Sequence, residues 1–208
     1  MKKERAVLLL SGGFDSGVAG YLLEKEGFEI IPLHLSNVDF VGEWTIEKCI
    51  EIAKKFNWSK LYVMDIANSL QTFVNECTHS YFFVFMKRLL LVLASELAKR
   101  ENASYIVTGE SLGQVSSQTL LNINVIEKAT KFRVLKPLIA MDKETIIGYS
   151  KQIGTFEISS GPEVCDILGP KHPVTQANEE KVKNEEDKIN YSQLINQCIA
   201  TLKVIEVN

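Results

Sequence analysis

The chain has 208 residues, 46% of them hydrophobic, and a formal net charge of −3; this is enough apolar mass for one substantial core, with no global positive field to draw in nucleic acid. Its N-terminal apolar run stops at Ser11, short of a signal peptide, and the most hydrophobic stretch, Tyr81 to Leu93, is broken by Lys87 and Arg88 before the ~18 apolar residues of a membrane span. The four cysteines, Cys49, Cys77, Cys165 and Cys198, include no C-x-x-C pair, which argues against a zinc knuckle or disulfide framework and suits a reduced, cytoplasmic setting.

Arg5 to Leu10 is an almost unbroken apolar run, the pattern of a strand buried on both faces of a parallel sheet. A helix is expected over Ser16 to Lys25, with Val18, Ala19, Leu22 and Leu23 on one stripe and Gly27 at the C-terminal cap. Phe28 to Leu35 reads as the second strand. Thr45 to Phe56 sets Ile46, Cys49, Ile50, Ala53 and Phe56 at helical spacing, and a third strand follows at Leu61 to Met64. A long helix is expected over His79 to Arg100, a strand at Tyr105 to Val107, a Gly-Glu-Ser loop, and a helix near Gln118 to Ile126. Beyond Pro137 lies another helix, with Asp142 as N-cap, Ile146, Ile147 and Ile153 on the buried side, and Gly154 at its end. Ser159 to Pro173 has loop composition. A charged segment, Asn178 to Lys188, leads to a final helix near Tyr191 to Leu202 and a strand-like tail. The alternation predicts an α/β fold with a doubly wound parallel sheet. The expected division is a nucleotide-binding catalytic domain over 1–175, with 176–208 as a helix and strand packed on the same domain.

Ser11-Gly12-Gly13-Phe14-Asp15-Ser16 lies between the first strand and its helix, where backbone N–H groups and the helix dipole favour an anion. The glycines allow close backbone approach and the serines add hydroxyl donors, so phosphate is the natural ligand. The loop lacks the Gly-Lys-Ser/Thr ending of a Walker A motif and the spacing of a dinucleotide fingerprint. Without a ligand, the same loop is a glycine turn in which Asp15 and Ser16 act as caps.

This loop resembles that of the PP-loop ATP pyrophosphatase superfamily, an adenine nucleotide alpha hydrolase-like fold whose members share Ser-Gly-Gly-x-Asp-Ser after the first strand. The resemblance implies cleavage of ATP between its α- and β-phosphates, with Asp15 organising Mg²⁺, a hard cation suited to oxygen ligands. Thr108 to Leu120 looks like the signature of tRNA 4-thiouridine synthetases, and Lys136 to Ile139, Asp142 to Glu144 and Gly169 to Thr175 match the same family in order and spacing. That resemblance covers nearly the whole chain. It implies AMP transfer to O4 of a tRNA uridine, followed by sulfur delivery to C4 from a cysteine persulfide, with Cys165 at the sulfur-carrying position. A persulfide donor such as a cysteine desulfurase is then an implied partner, and a homodimer is open.

Lys143 matches a lysine implicated in adenylation, where a cation offsets charge on the α-phosphate; an exposed first-turn lysine is the plain alternative. Gly109, Glu110 and Gln114 are expected to line the cleft beyond the strand ends. His34 is placed near adenine through its backbone, or is an ordinary strand-end histidine. Lys87 and Arg88 resemble basic residues that reach tRNA phosphates, and a solvated helical face explains them equally. Lys171 and His172 belong to the motif without a derivable role.

The family's N-terminal RNA-binding (THUMP) extension and C-terminal sulfurtransferase-like domain have no counterpart here, so the expectation is that tRNA is reached through a separate RNA-binding protein. Cys49, Cys77 and Cys198 qualify as resolving thiols only if the fold brings them close. Two other readings remain at this level: adenylation of a small molecule or sulfur carrier, including a thiamin-related step, and a non-catalytic nucleotide-binding subunit.

Overall fold

Residues 3–161 and 168–207 are described in the computed structural model of the chain. The first half alternates strand and helix: β1 (Arg5–Leu9), α1 (Phe14–Lys25), β2 (Glu29–Ser36), a short α2 (Val38–Val41), α3 (Trp44–Lys55) and β3 (Lys60–Asp65). Next come α4 (Ala67–Glu76), a 3-10 turn at His79–Tyr81, the long α5 (Phe82–Arg100), β4 (Tyr105–Val107), a second 3-10 turn at Ser116–Gln118, α6 (Leu120–Glu127) and β5 (Arg133–Leu135). The chain closes with α7 (Lys143–Gln152), α8 (Phe156–Ser159), α9 (Glu179–Glu186), α10 (Tyr191–Ala200) and β6 (Lys203–Glu206).

The six strands form one sheet in the order β5-β4-β1-β2-β3-β6, parallel throughout except for the antiparallel edge strand β6. β1 is central, with Ala6, Val7 and Leu8 fully buried, because helices cover both faces of the sheet. Ala6, Leu8 and Leu10 pack with Val18 and Ala19 of α1 and Ile52 and Ala53 of α3. Val7, Leu33 and Ile106 face Phe85, Leu89, Leu93 and Leu97 of α5. The chain leaves β1 toward β2 on one side, and β4 lies on the other. The loops after β1 and β4 therefore diverge at a topological switch point, where open α/β sheets form a ligand crevice.

Five elements were not expected from local pattern, among them the four-residue α2 and α8. α4 has few apolar positions but buries Leu70 and Phe73, and its start is held by Asp65, whose Oδ1 accepts from the Ala67 N–H at 2.7 Å. β5 has only three residues, too few for a period, and exists through its pairing with β4. The charged segment forms α9, capped by the Asn178 side chain, which accepts from the Lys181 N–H at 3.0 Å, with Val182 as its buried apolar anchor. Within α7, Ile146 is buried as expected, whereas Ile147 and Ile153 are only half-buried and Ser150 takes the enclosed position one turn on. Among the described residues no helix is long and apolar enough to cross a membrane.

Candidate nucleotide-phosphate site

Ser11–Gly13 form the turn between β1 and α1, and two serines knit it together. The Ser11 N–H donates to Ser16 Oγ at 3.1 Å, the Gly13 N–H donates to Ser11 Oγ at 3.3 Å, and Ser16 Oγ donates to the Gly13 carbonyl at 3.1 Å. Ser16 is buried and its hydroxyl is spent within the loop, where direct donation to a ligand had been expected; Ser11 is exposed. Gly12 sits at φ +84°, and a Cβ there would also lie 3.2 Å from Lys48 Cβ. Gly13 is the N-cap of the twelve-residue α1 and offers no side-chain cap, so the first-turn N–H groups are left for an anion.

Gly109, the residue after Thr108 at the end of β4, passes directly over this junction. A Cβ on it would fall 2.7 Å from the Asp15 carbonyl carbon and 2.8 Å from the Ser16 nitrogen, so only glycine allows the two strand-end loops to touch. Asp15, in the first turn of α1, accepts from Lys143 Nζ through both carboxylate oxygens at 2.8 and 3.0 Å. Lys143 is brought there by α7, which packs on α1 and is capped by Asp142, whose Oδ1 accepts from the Thr145 N–H at 2.7 Å. The ammonium also lies 5.8 Å from the Phe14 ring centroid, and Phe14 stacks on Phe156 at 5.3 Å.

The loop that follows Gly109 is braced by the approach to α7: the Leu112 N–H donates to the Ile139 carbonyl at 3.0 Å and Ser111 Oγ to the Met141 carbonyl at 2.6 Å. Glu110 is buried among cations, with Lys87 Nζ at 3.5 Å, Lys136 Nζ at 3.8 Å and Thr108 Oγ1 donating at 3.2 Å. Gln114 is half-buried, and its Nε2 is enclosed without a hydrogen-bond partner among the described residues.

The pair Lys87 and Arg88 divides. Lys87 turns to Glu110, at the crevice. Arg88 corrects the sequence expectation of a helical face open to RNA phosphates: its guanidinium is clamped by both carboxylate oxygens of Glu186 at 2.7 and 2.8 Å and donates to the Val125 carbonyl at 2.8 Å. It joins α5 to α6 and α9, and α9 was not legible as an element beforehand. The His34 side chain turns away from the crevice. It lies inside β2, 4% exposed, with Nδ1 2.9 Å from the Leu10 carbonyl, and burial lowers its pKa below the usual 6.5.

Cys165 lies outside the described residues. On the flanks of that segment, Lys48 Nζ donates to the Ser159 carbonyl at 3.3 Å, and His79 Nε2 lies 2.8 Å from the Leu168 carbonyl. The Gly169 to Thr175 motif is held from beneath by the fully buried Asn122, whose Nδ2 donates to the Val174 carbonyl at 2.8 Å while its Oδ1 accepts from the Ala177 N–H at 2.8 Å. Lys48 and Asn122 were missed in the sequence because neither sits in a motif; their partners are more than fifty residues away. Lys171 and His172 are exposed. The thiols of Cys49, Cys77 and Cys198 are all pushed up by burial, Cys77 to about 11 with Glu185 adding to the shift. Among the described residues no group of three or more His, Cys, Asp or Glu is arranged to hold a metal ion.

Residues 1–191 match the family model described as thiamine biosynthesis protein (ThiI). The chain is 36% identical to a probable tRNA sulfurtransferase of Moorella thermoacetica over 98% of its own length and 54% of that protein's. It is equally identical to a probable tRNA sulfurtransferase of Coxiella burnetii, over 98% of its length and 53% of that protein's. It thus spans about half the length of the curated relatives it matches. A crystal structure of a 4-thiouridine synthetase–RNA complex with bound ATP superposes with a TM-score of 0.93 at 30% identity, over 99% of this chain and 55% of that one. NMN synthetase from Francisella tularensis shares the fold, with a TM-score of 0.61 at 16% identity, over 93% of this chain and 86% of that one.

Proposed function

The chain belongs to the ThiI family, and on that premise we propose that it is the ATP-using catalytic part of a tRNA sulfurtransferase that makes 4-thiouridine. The observation that carries this reading is the Asp15–Lys143 pair at the uncapped start of α1, with Gly109 packed against the same junction. The open N–H groups and Ser11 hold the phosphates of ATP. Asp15 is the residue that would hold Mg²⁺, a hard cation suited to its carboxylate oxygens, which would neutralise phosphate charge there. With its carboxylate shared between a cation and Lys143, Asp15 would hold the Lys143 ammonium close to the phosphates, where its charge could offset that growing on the α-phosphate.

In the first step uridine O4 attacks the α-phosphorus and pyrophosphate leaves, so that C4 carries AMP as a leaving group. In the second, the terminal sulfur of a Cys165 persulfide attacks C4 and AMP departs, leaving a disulfide between C4 and Cys165. A second thiol must cleave that S–S bond to release 4-thiouridine. Burial raises the thiols of Cys49, Cys77 and Cys198, which supports a thiol from outside this set, such as the persulfide donor's system.

The test is a turnover assay for AMP and pyrophosphate with bulk tRNA supplied or withheld, together with a persulfide donor and, in trans, the part of a relative that this chain does not match. Wild-type protein should release both products and form 4-thiouridine only with tRNA; Asp15→Ala should lose both products, and Cys165→Ser should lose thiolation. Thiolation that survives both substitutions overturns the reading. The thiamine biosynthesis description of the family supports a second acceptor, a small molecule or sulfur-carrier protein. Pyrophosphate exchange that requires such an acceptor and ignores tRNA decides for it.

A further inference from the structure

β1 ends at Leu9, and Leu10 is the last residue before the phosphate loop. Its carbonyl accepts two side-chain contacts from beneath: His34 Nδ1 of β2 at 2.9 Å and Cys49 Sγ of α3 at 3.4 Å. The two side chains are 3.3 Å from each other, and both are buried. A carbonyl only accepts, so the ring hydrogen is on Nδ1 and Nε2 is left as an acceptor. That Nε2 is enclosed and has no hydrogen-bond partner among the described residues.

A histidine kept only to fill space is poorly suited to this position. An apolar side chain would leave no unmet Nε2 acceptor in this enclosed site. What the imidazole supplies is the donor to Leu10. Two residues further on, Gly12 turns through φ +84° against the same helix, where an added Cβ would meet Cys49 Sγ at 3.6 Å. The direction in which the chain leaves the sheet, and so the aim of the N–H groups at the start of α1, is therefore set by β2 and α3.

We propose that His34 is a positioning residue for the phosphate loop, holding the Leu10 carbonyl through its Nδ1–H so that the loop's N–H groups face the phosphates of ATP. Its side chain acts from below the loop, whereas the sequence suggested a strand-end backbone contact with the base. Burial lowers the imidazole pKa and raises that of the Cys49 thiol, which keeps both groups neutral donors to the carbonyl. The inference rests on the ATP-binding part of the function proposed above.

The experiment measures the dissociation constant of MgATP for the full chain, with a thermal melt of each variant and the kcat and KM of pyrophosphate exchange. His34→Phe keeps a ring and removes the donor; the folded variant should bind ATP roughly tenfold more weakly. The loss should appear in KM more than in kcat. His34→Asn places an amide N–H where Nδ1 stands, and His34→Gln places it nearer Nε2. Asn should recover affinity and Gln should not, a comparison that holds even if His34→Phe does not fold. Equal ATP affinity in the Asn and Gln variants, or wild-type affinity in a folded His34→Phe protein, overturns the inference. A wild-type chain that binds no ATP instead overturns the proposed function beneath it.

Discussion

Two carboxylate-bound cations sit on helices that pack against opposite faces of the sheet, and burial separates their roles. At the crevice, Lys143 grips Asp15 with side chains 40% and 27% exposed. On the far side of α5, Arg88 grips Glu186 with side chains 13% and 14% exposed. The contacts are equally short. Water reaches the first pair, so its partners can be exchanged for a metal and phosphates at little cost. The second pair is closed by α6 and α9, so removing either partner leaves a desolvated charge with nothing to meet it. An ion pair at a strand end can act in a ligand's binding, while the same chemistry under a helix becomes a brace.

The largest expected effect tests the crevice by its backbone. Gly109→Ala pushes a methyl into the Asp15 carbonyl carbon, so nucleotide affinity should fall by about 100-fold or more, read by MgATP titration on protein whose fold is checked by circular dichroism. Next comes the brace: Arg88→Met should destabilise the chain by about 3 kcal/mol in urea unfolding, and adding Glu186→Leu should recover part of that loss. ATP affinity per folded molecule should not change, and if it did the contrast would break. Lys143→Ala is the mirror image. It should slow pyrophosphate exchange by roughly 100-fold while moving unfolding stability by less than about 1 kcal/mol, because the pair is half-open to water.

The smallest effect is a pH dependence. The folded protein keeps His34 neutral, so between its lowered pKa and the ordinary value of 6.5 the unfolded chain takes up a proton that the folded chain refuses. Its contribution is fully present above pH 6.5 and is lost as pH falls below it, at no more than about 1.4 kcal/mol per pH unit. Melting curves at pH 7.5 and 5.5 should show a steeper acid loss in wild type than in His34→Phe. The neighbouring Cys49 stays protonated throughout this range because burial raises its pKa.

Most of the sheet was legible because strands buried on both faces leave continuous apolar runs, as at Ala6 to Leu8, and because Gly27 and Asp142 mark helix ends by local chemistry. β5 and α9 were not, since one is too short to show a period and the other is charged on nearly every side. The phosphate loop was complete in six consecutive residues. Its partners were visible only through family motifs, Gly109 as a cleft-lining residue and Lys143 as a match to an adenylation lysine, with nothing to tie either to Asp15.

The sequence by itself determined the order of the central strands and main helices, the position of the phosphate loop and the family's motifs, because each depends on residues within a few positions of one another. Only the tertiary structure decided that Asp15 meets Lys143 across 128 residues, that Gly109 must lack a side chain, that Arg88 is a brace, and that the His34 side chain reaches the Leu10 carbonyl beneath the loop. Each of those outcomes depends on burial and on distances between chain segments far apart in sequence. Those quantities exist only once the helices have closed over the sheet.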